Sequence, residues 1–394
     1  MNFKLLREIP KAYCFFGIFI FAFVGLFSFV EITHHKFETN DFRVYYYATL
    51  DYFKGNNPYV KNYGLFTGFF KYPPFTLYLF KLFTFFGYGI SQLIHLFLLT
   101  SSLVISISFL KIEVQKSFQF EFTKKQSWIL YVTFISTAIH LVREFHMGNI
   151  NLYLLGLFVL GLKFIKNENS FRTAFFWSLM LILKPIMILA VIPLVFYKKW
   201  KTIAYMSCFG IFFFLFPIIS EGWHGNLILW GNWVKSVTNH GEYIVSKNSL
   251  TYLSNFYFGI KSEWIPSLFC LVLVLTLLLF RLKKKGATDT DLQIWSIVLT
   301  AFTPNFFVTD TEHFLLVIPL LVYLLFLLSK SKPRILWIGF FIGFLLFSIN
   351  SNDLFGRELS NKFDVWGVLG IGNAVFIVTF LLVYLLPKKP FVLS

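Results

Sequence analysis

From residue 13 to residue 386 the chain alternates long apolar runs with short polar interruptions. A membrane-crossing helix needs about 20 mostly apolar residues. On that scale the runs predict spans at 13–30, 91–110, 127–145, 149–165, 172–184, 185–197, 202–219, 264–281, 292–307, 313–329, 335–350 and 365–386. This is an all-α, polytopic pattern of about twelve transmembrane helices, a single domain over 1–394 with no room for a separate soluble unit. Residues 75–90, PFTLYLFKLFTFFGYG, fit it poorly, since a full crossing there would move Lys124 and Lys125 to the other face; a short interfacial or re-entrant helix is expected instead. The 172–197 stretch divides into two 13-residue halves around Lys184-Pro185, where proline favours a bend or tip. No internal repeat or low-complexity tract is visible.

Composition confirms the class. The chain is 57% hydrophobic and 14% charged, with a mean hydropathy of +0.69, more apolar surface than a water-soluble fold can hide. The formal charge of +16 does not point to nucleic acid, because the basic residues form small clusters between apolar runs rather than one face. Those clusters are Lys4, Arg7 and Lys11; Lys124 and Lys125; Lys198, Lys199 and Lys201; Arg281 and Lys283 to Lys285; Lys330, Lys332 and Arg334; and Lys388 and Lys389. Such clusters mark the cytoplasmic side, so both termini are expected there. The opposite face receives a first external loop at 31–74, the turn near 146–149, the tip near 184, a second large loop at 220–263, and 308–312 and 351–364. The acids Asp41, Asp51, Glu221, Glu242, Asp310, Glu312, Asp353 and Asp364 gather on it. Cys14, Cys208 and Cys270 lie in apolar runs and suggest neither a disulfide framework nor a metal site. The basic, apolar amino terminus lacks a small-residue cleavage site and reads as an uncleaved first helix.

Five polar constellations on the external side are candidates for chemistry, each with a plainer reading beside it. In NDFRVYYYATLDYFKGNNPY, residues 40–59, Asp41 is placed to take a proton from a hydroxyl, or it caps a helix or pairs with Arg43; Tyr45 to Tyr47 form a wall or serve as interfacial anchors. A Gly-Asn-Asn-Pro-Tyr turn at 55–59 reverses the chain, and Lys71-Tyr72-Pro73-Pro74-Phe75 opens the next apolar segment through an extended entry. A loop of this length, rich in aromatics, suits a lid better than a tether. Lys184, inside LILKPIMILAVIP, costs about 2.5–3.5 kcal/mol near a helix centre and therefore snorkels, pairs or lines a polar cavity, where an ammonium binds phosphate. REFHMGNIN, 143–151, carries Arg143, Glu144, His146, Asn149 and Asn151, and is otherwise a hairpin turn. His313 in TDTEHF either donates to a phosphate or sugar oxygen or sits at the interface, and Asn248 and Ser249 in SKNSL bind sugar hydroxyls or are ordinary loop residues. No Walker loop, GxGxxG, HExxH, cysteine cluster or DxD element occurs.

In order, Asp41-Phe42-Arg43-Val44-Tyr45-Tyr46-Tyr47-Ala48, Gly55-Asn56-Asn57-Pro58-Tyr59, Lys71-Tyr72-Pro73-Pro74-Phe75, Gly148-Asn149-Ile150-Asn151, Lys184-Pro185, Asn248-Ser249-Leu250 and His313 with Pro319 resemble glycosyltransferase family 87. This is the polyprenol-phosphate-mannose-dependent family typified by bacterial phosphatidylinositol-mannoside mannosyltransferases. The ordered set runs from 41 to 319. Two departures stand out. Asn149 occupies a position where the family usually has Gln, and Glu312 replaces the first of two adjacent histidines, with Thr303-Pro304 farther upstream.

The resemblance implies a GT-C-type helical bundle with a helical first external loop, in a bacterial inner membrane with the site on the external face. It implies metal-independent transfer of a hexose, mannose by family habit, from a polyprenyl-phosphate sugar to a glycolipid or glycan acceptor, with inversion and no cofactor. Asp41 would be the general base. Lys184, His313 and Arg43 would meet the donor phosphate, and Tyr45, Tyr46, Tyr72, Asn149, Asn151, Asn248 and Ser249 the substrates. The competing reading is a transporter or flippase of a lipid-linked sugar, which more often shows repeat symmetry and charges at the midplane.

Overall fold

The computed structural model describes residues 11–65, 68–118, 126–241, 247–262, 264–286, 288–307, 309–330, 334–349 and 351–385. Lys4, Arg7, Lys124, Lys125, Lys332, Lys388, Lys389 and Glu242 lie outside that set. Regular structure among the described residues is helical, apart from an isolated bridge between Asn62 and Phe69.

Among the described residues seventeen α-helices follow one another: α1 (Lys11–Thr33), α2 (Asn40–Tyr52), α3 (Phe75–Phe80), α4 (Tyr88–Ser117), α5 (Trp128–Met147), α6 (Asn151–Lys166), α7 (Ser170–Leu183), α8 (Pro193–Phe196), α9 (Trp200–Leu215), α10 (Ile218–Gly241), α11 (Leu250–Phe258), α12 (Ile265–Lys285), α13 (Asp289–Phe306), α14 (Ile318–Lys330), α15 (Arg334–Ser348), α16 (Asn352–Val365) and α17 (Val368–Leu385). Short 3₁₀ turns at Lys81–Phe85, Pro185–Val191 and Thr311–Val317 lead out of α3 and into α8 and α14.

Burial sorts the helices. In α14 every residue from Ile318 to Leu328 is buried, as expected of a helix apolar on all sides, and in α13 every residue from Asp291 to Phe306 is buried, polar ones such as Gln293, Thr300 and Asn305 included. These two form the centre, packed by α4, α5, α17 and the turns before α8 and α14. By contrast α1 buries only a stripe, Tyr13, Phe16, Ile20 and Val24, while Phe15, Ile18, Leu26 and Phe29 face outward. With similar exposed rows on α12 and α15, this apolar surface requires lipid. The chain is an integral membrane protein.

Helix lies on each of the twelve expected spans, but the crossings are fewer on length and composition. Among the described residues five segments are long and apolar enough: Lys11–Thr33, Tyr88–Ser117, Ile265–Lys284, Thr311–Lys330 and Val368–Leu385. Seven result if α5 with α6, bent by 116°, and α9 with Ile218–Thr238, bent by 88°, each count as one. Several of the other expected spans fall on shorter apolar helices, such as α7 and α15, or on helices joined at sharp bends, and hydropathy alone registers neither the bend at Gly148 nor the stop at Lys184-Pro185. Residues 75–85 rise at most about 20 Å, a short helix as expected.

The segments expected on the external face are largely helical. Most of the 220–263 loop is helix, occupied by α10 and α11, and α16 fills 351–364. Helix α10 holds the chain before α3: Trp233 Nε1 donates to the Lys71 carbonyl at 2.9 Å and Ser236 to that of Phe70 at 3.1 Å. At its start, Tyr52 of α2 donates to Glu221 Oε1 at 2.8 Å. The residues before α11 are pinned from the opposite side, where Asn248 Oδ1 accepts from the Gly370 amide at 3.1 Å and Asn305 Nδ2 donates to the Gly370 carbonyl at 3.0 Å.

Gly370 meets this loop so closely that an added Cβ would overlap the Asn248 carbonyl. Gly370→Ala should therefore destabilise the protein by about 1–3 kcal/mol, read as a lower unfolding midpoint in detergent; an unchanged midpoint would mean the contact is not tight.

Candidate active site

Four interruptions in helix converge on one cavity of about 790 Å³. The first is the start of α2, which carries Asp41. The second is the turn at 148–151 between α5 and α6, where Gly148 adopts φ 65° and ψ 38° and ends α5. A side chain there would be strained, and its Cβ would lie 2.9 Å from that of Thr39 and 3.0 Å from that of Phe42. That close approach brings α2 against the turn. His95 of α4 pins it: with Tyr153 hydrogen-bonded to Nδ1 at 2.9 Å, Nε2 donates to the Gly148 carbonyl at 2.9 Å. The third is Lys184, extended at φ −142° and ψ 103° between α7 and the turn that Pro185 begins. The fourth is the 309–313 segment before α14.

Lys184 occupies the centre. Its ammonium donates to Asn149 Oδ1 at 3.2 Å, Asn151 Oδ1 at 2.9 Å and His313 Nε2 at 3.0 Å. An ammonium has donors only, so His313 must accept through Nε2 and carry its proton on Nδ1, which donates to the Asp310 carbonyl at 3.1 Å. Each amide then turns its NH₂ to a carboxylate. Asn149 Nδ2 donates to Asp41 Oδ2 at 2.7 Å, and Asn151 Nδ2 to Glu144 Oε2 at 2.8 Å. The result is a continuous chain, Asp41 to Asn149 to Lys184 to Asn151 to Glu144.

Aromatic side chains border it. Tyr45 stacks on Phe80 with centroids 4.8 Å apart and an interplanar angle of 16°. Its hydroxyl lies 2.8 Å from that of Tyr72, and the two reach toward Asn149 Oδ1 at 3.4 and 3.5 Å. Lys71, Arg143, His146, Lys247, Asp310, Glu312 and Asp364 also line the cavity. Arg143 pairs with Glu312 at 3.6 Å and bonds Thr311, Lys247 pairs with Asp364 at 2.8 Å, and His146 with Glu31 at 2.6 Å. Burial pushes the Asp41 carboxyl up to about 7, helped by the charge of Glu312 and opposed by Lys184. Burial also lowers the Lys71 ammonium below its ordinary value, against the raising effect of Asp310 and Asp41.

Of the residues expected from sequence, Asp41, Tyr45, Tyr72, Asn149, Lys184, Asn248 and His313 line the cavity. Asn151 is 0% exposed and touches Lys184 from behind. Arg43 and Tyr46 are not brought there. Residues 40–52 are helix, and positions two apart point to nearly opposite sides. With Asp41 turned inward, Arg43 is exposed. Tyr46 is buried elsewhere, donating to the Phe86 carbonyl at 2.7 Å. Ser249 caps α11 by accepting from the Tyr252 amide at 3.2 Å. Glu144 and His95 were not assigned a role from sequence. A carboxylate seven residues before an asparagine, on the far side of a Gly turn, was the signal for Glu144; His95 lies in an apolar run, where the spacing offered none.

A family model described as "Glycosyltransferase family 87" matches residues 69–304. The chain belongs to glycosyltransferase family 87. The match includes Tyr72, Glu144, Asn149, Asn151, Lys184, Asn248 and Ser249, whereas Asp41, Tyr45 and His313 fall outside it and enter through geometry. No curated protein sequence matches the chain. Among solved structures, the crystal structure of ArnT from Cupriavidus metallidurans in the apo state is similar at 12% identity, covering 91% of this chain and 76% of that one with a TM-score of 0.36. This family-87 protein is accordingly a membrane glycosyltransferase.

The geometry separates Lys184 from Arg43. Lys184→Ala should lower glycosyl transfer at least about tenfold, the worth of one charge-assisted hydrogen bond. Arg43→Ala should leave it within about twofold, the range of a surface substitution. A larger loss at Arg43 than at Lys184 would contradict this arrangement.

Proposed function

We propose that this glycosyltransferase moves a hexose, mannose being the first candidate, from a polyprenyl-phosphate donor to a glycolipid or glycan acceptor at the external face of a bacterial inner membrane, without metal or cofactor. The observation that carries the reading is the shared amide. Asn149 holds the Asp41 carboxylate with its nitrogen and the Lys184 ammonium with its oxygen, so a base and a cation stand on one cavity wall at a fixed separation.

In this reading the donor phosphate takes the place of a neutral acceptor on Lys184, with His313 beside it. The sugar lies along Tyr45 and Tyr72, and Asn248 borders it. Asn149 engages one oxygen of Asp41, and the other accepts the acceptor's hydroxyl proton. The acceptor oxygen bonds to the anomeric carbon as the bond from that carbon to the phosphate oxygen breaks. Its electron pair leaves with the polyprenyl phosphate, which gains one negative charge. The cation needed for that charge is already in position. A single displacement inverts the anomeric centre.

Two measurements test it. In nanodiscs with radiolabelled polyprenyl-phosphate-mannose, candidate glycolipid acceptors and EDTA, the wild type should transfer label. Asp41→Asn should lose about 10²–10⁴-fold, the scale of general-base catalysis. Equal transfer by the variant would remove Asp41 as the base, and label left on every donor and acceptor tried would sink the transfer reading.

The second is a pH profile. The base works only when deprotonated, and burial raises the Asp41 carboxyl to about 7. Thus kcat/KM should be level above that pH and fall about tenfold per unit below it. A profile flat down to the ordinary carboxylate range would show that this group does not control the reaction.

A further inference from the structure

We propose that Glu144 is a positioning residue that sets the charge and direction of the Lys184 ammonium through Asn151. The inference rests on the donor-site role given to Lys184 above. Glu144 sits in the last turn of α5 and is 0% exposed, as is Asn151. One carboxylate oxygen accepts from Asn151 Nδ2 at 2.8 Å, the other from the Leu152 amide at 3.2 Å. A primary amide has one donating and one accepting end. A carboxylate at the donating end therefore obliges Asn151 to present oxygen to Lys184. The neighbouring Arg143 is turned to Glu312, so the cation this carboxylate serves is Lys184. A purely structural role is the competing account, because an acidic group at the start of α6 also stabilises that helix.

Gln at 144 separates the two. Its carbonyl keeps the bond to the Leu152 amide, while its NH₂ faces Asn151, which must turn over and present NH₂ to the ammonium. Lys184 then loses an acceptor and a nearby negative charge, and both changes favour the neutral amine.

The reactivity of the Lys184 amine reads this without any turnover. The intact protein in nanodiscs is treated with a small neutral acylating reagent across a pH series, and the Lys184 peptide is followed by mass spectrometry. Glu144→Gln should shift the labelling midpoint down by about one unit, which is about tenfold more reactive amine below the midpoint. The swap of Glu144→Gln with Asn151→Asp puts the charge directly on Lys184 and should return the midpoint to the wild-type value or above.

In transfer assays Glu144→Gln should lower kcat/KM for the donor about tenfold, and by nothing further in a Lys184→Met background, since contacts acting through one group are not additive. A midpoint unmoved in a Glu144→Gln protein that still unfolds at the wild-type temperature overturns the proposal. So does a shift that the swap fails to reverse. If no donor supports transfer by the wild type while the labelling shifts as described, the coupling stands and the donor reading fails.

Discussion

A charge taken from water must have every hydrogen-bonding direction filled, and the Lys184 ammonium meets that demand with three neutral acceptors: Asn149, Asn151 and His313. Much of the site's architecture follows. Asn149 and Asn151 follow a left-handed glycine, His313 lies in a 3₁₀ turn, and Lys184 itself is an extended residue between a helix and a 3₁₀ turn. In lipid, irregular backbone is tolerated only where protein or a polar cavity satisfies its freed groups. The breaks and the ammonium therefore support one another. The breaks bring side-chain oxygens to the charge, and the polar centre gives the broken backbone partners.

The breaks also explain why α13 and α14 are the best-buried helices. A site assembled from the ends of several helices has little rigidity of its own, since the 148–151 turn, the 184–185 junction and the 309–313 segment belong to different parts of the chain. They keep register only if the helices behind them do not slide. Helix α13 packs against the 185–191 turn and against the 311–317 turn, while α5 and α6 also contact the latter. The close packing of those apolar faces transmits the position of one break to the next.

How far the site was legible in the sequence depends on which physical rule governs each residue. Lys184 stood out because a lysine in an apolar run has to be accounted for, and Pro185 marked the break beside it. The REFHMGNIN interruption was visible for the same reason. Residues 40–52 were harder to read. Tyr45 to Tyr47 read as one wall, whereas the helical period sends Asp41 and Tyr45 one way and Arg43 and Tyr47 another. The helices within 220–263 were hidden for a related reason. Trp223, Leu227 and Val234 are exposed apolar residues on α10, spaced by a helical repeat but interspersed with His, Gly, Asn and Lys, so total hydropathy fell below that of a span. The number of spans was not legible either, because hydropathy does not register a 116° bend.

The two asparagines that hold Lys184 differ in one respect that bears on function. Asn149 lies on the cavity wall with Asp41, while Asn151 is sealed behind the ammonium with Glu144. The ammonium consequently has an open side and a closed side. An anion arriving from the cavity competes with Asn149 and His313 for the N–H groups, but it cannot reach Asn151 without unpacking the turn. Displacing Asn149's oxygen from Lys184 would free that amide to follow the Asp41 carboxylate alone. In the proposed reaction, anion binding at Lys184 and the setting of Asp41 would thus be linked through a single side chain of four heavy atoms, too short to serve one without altering the other. The asparagine, one methylene shorter than a glutamine, leaves less slack between carboxylate and cation.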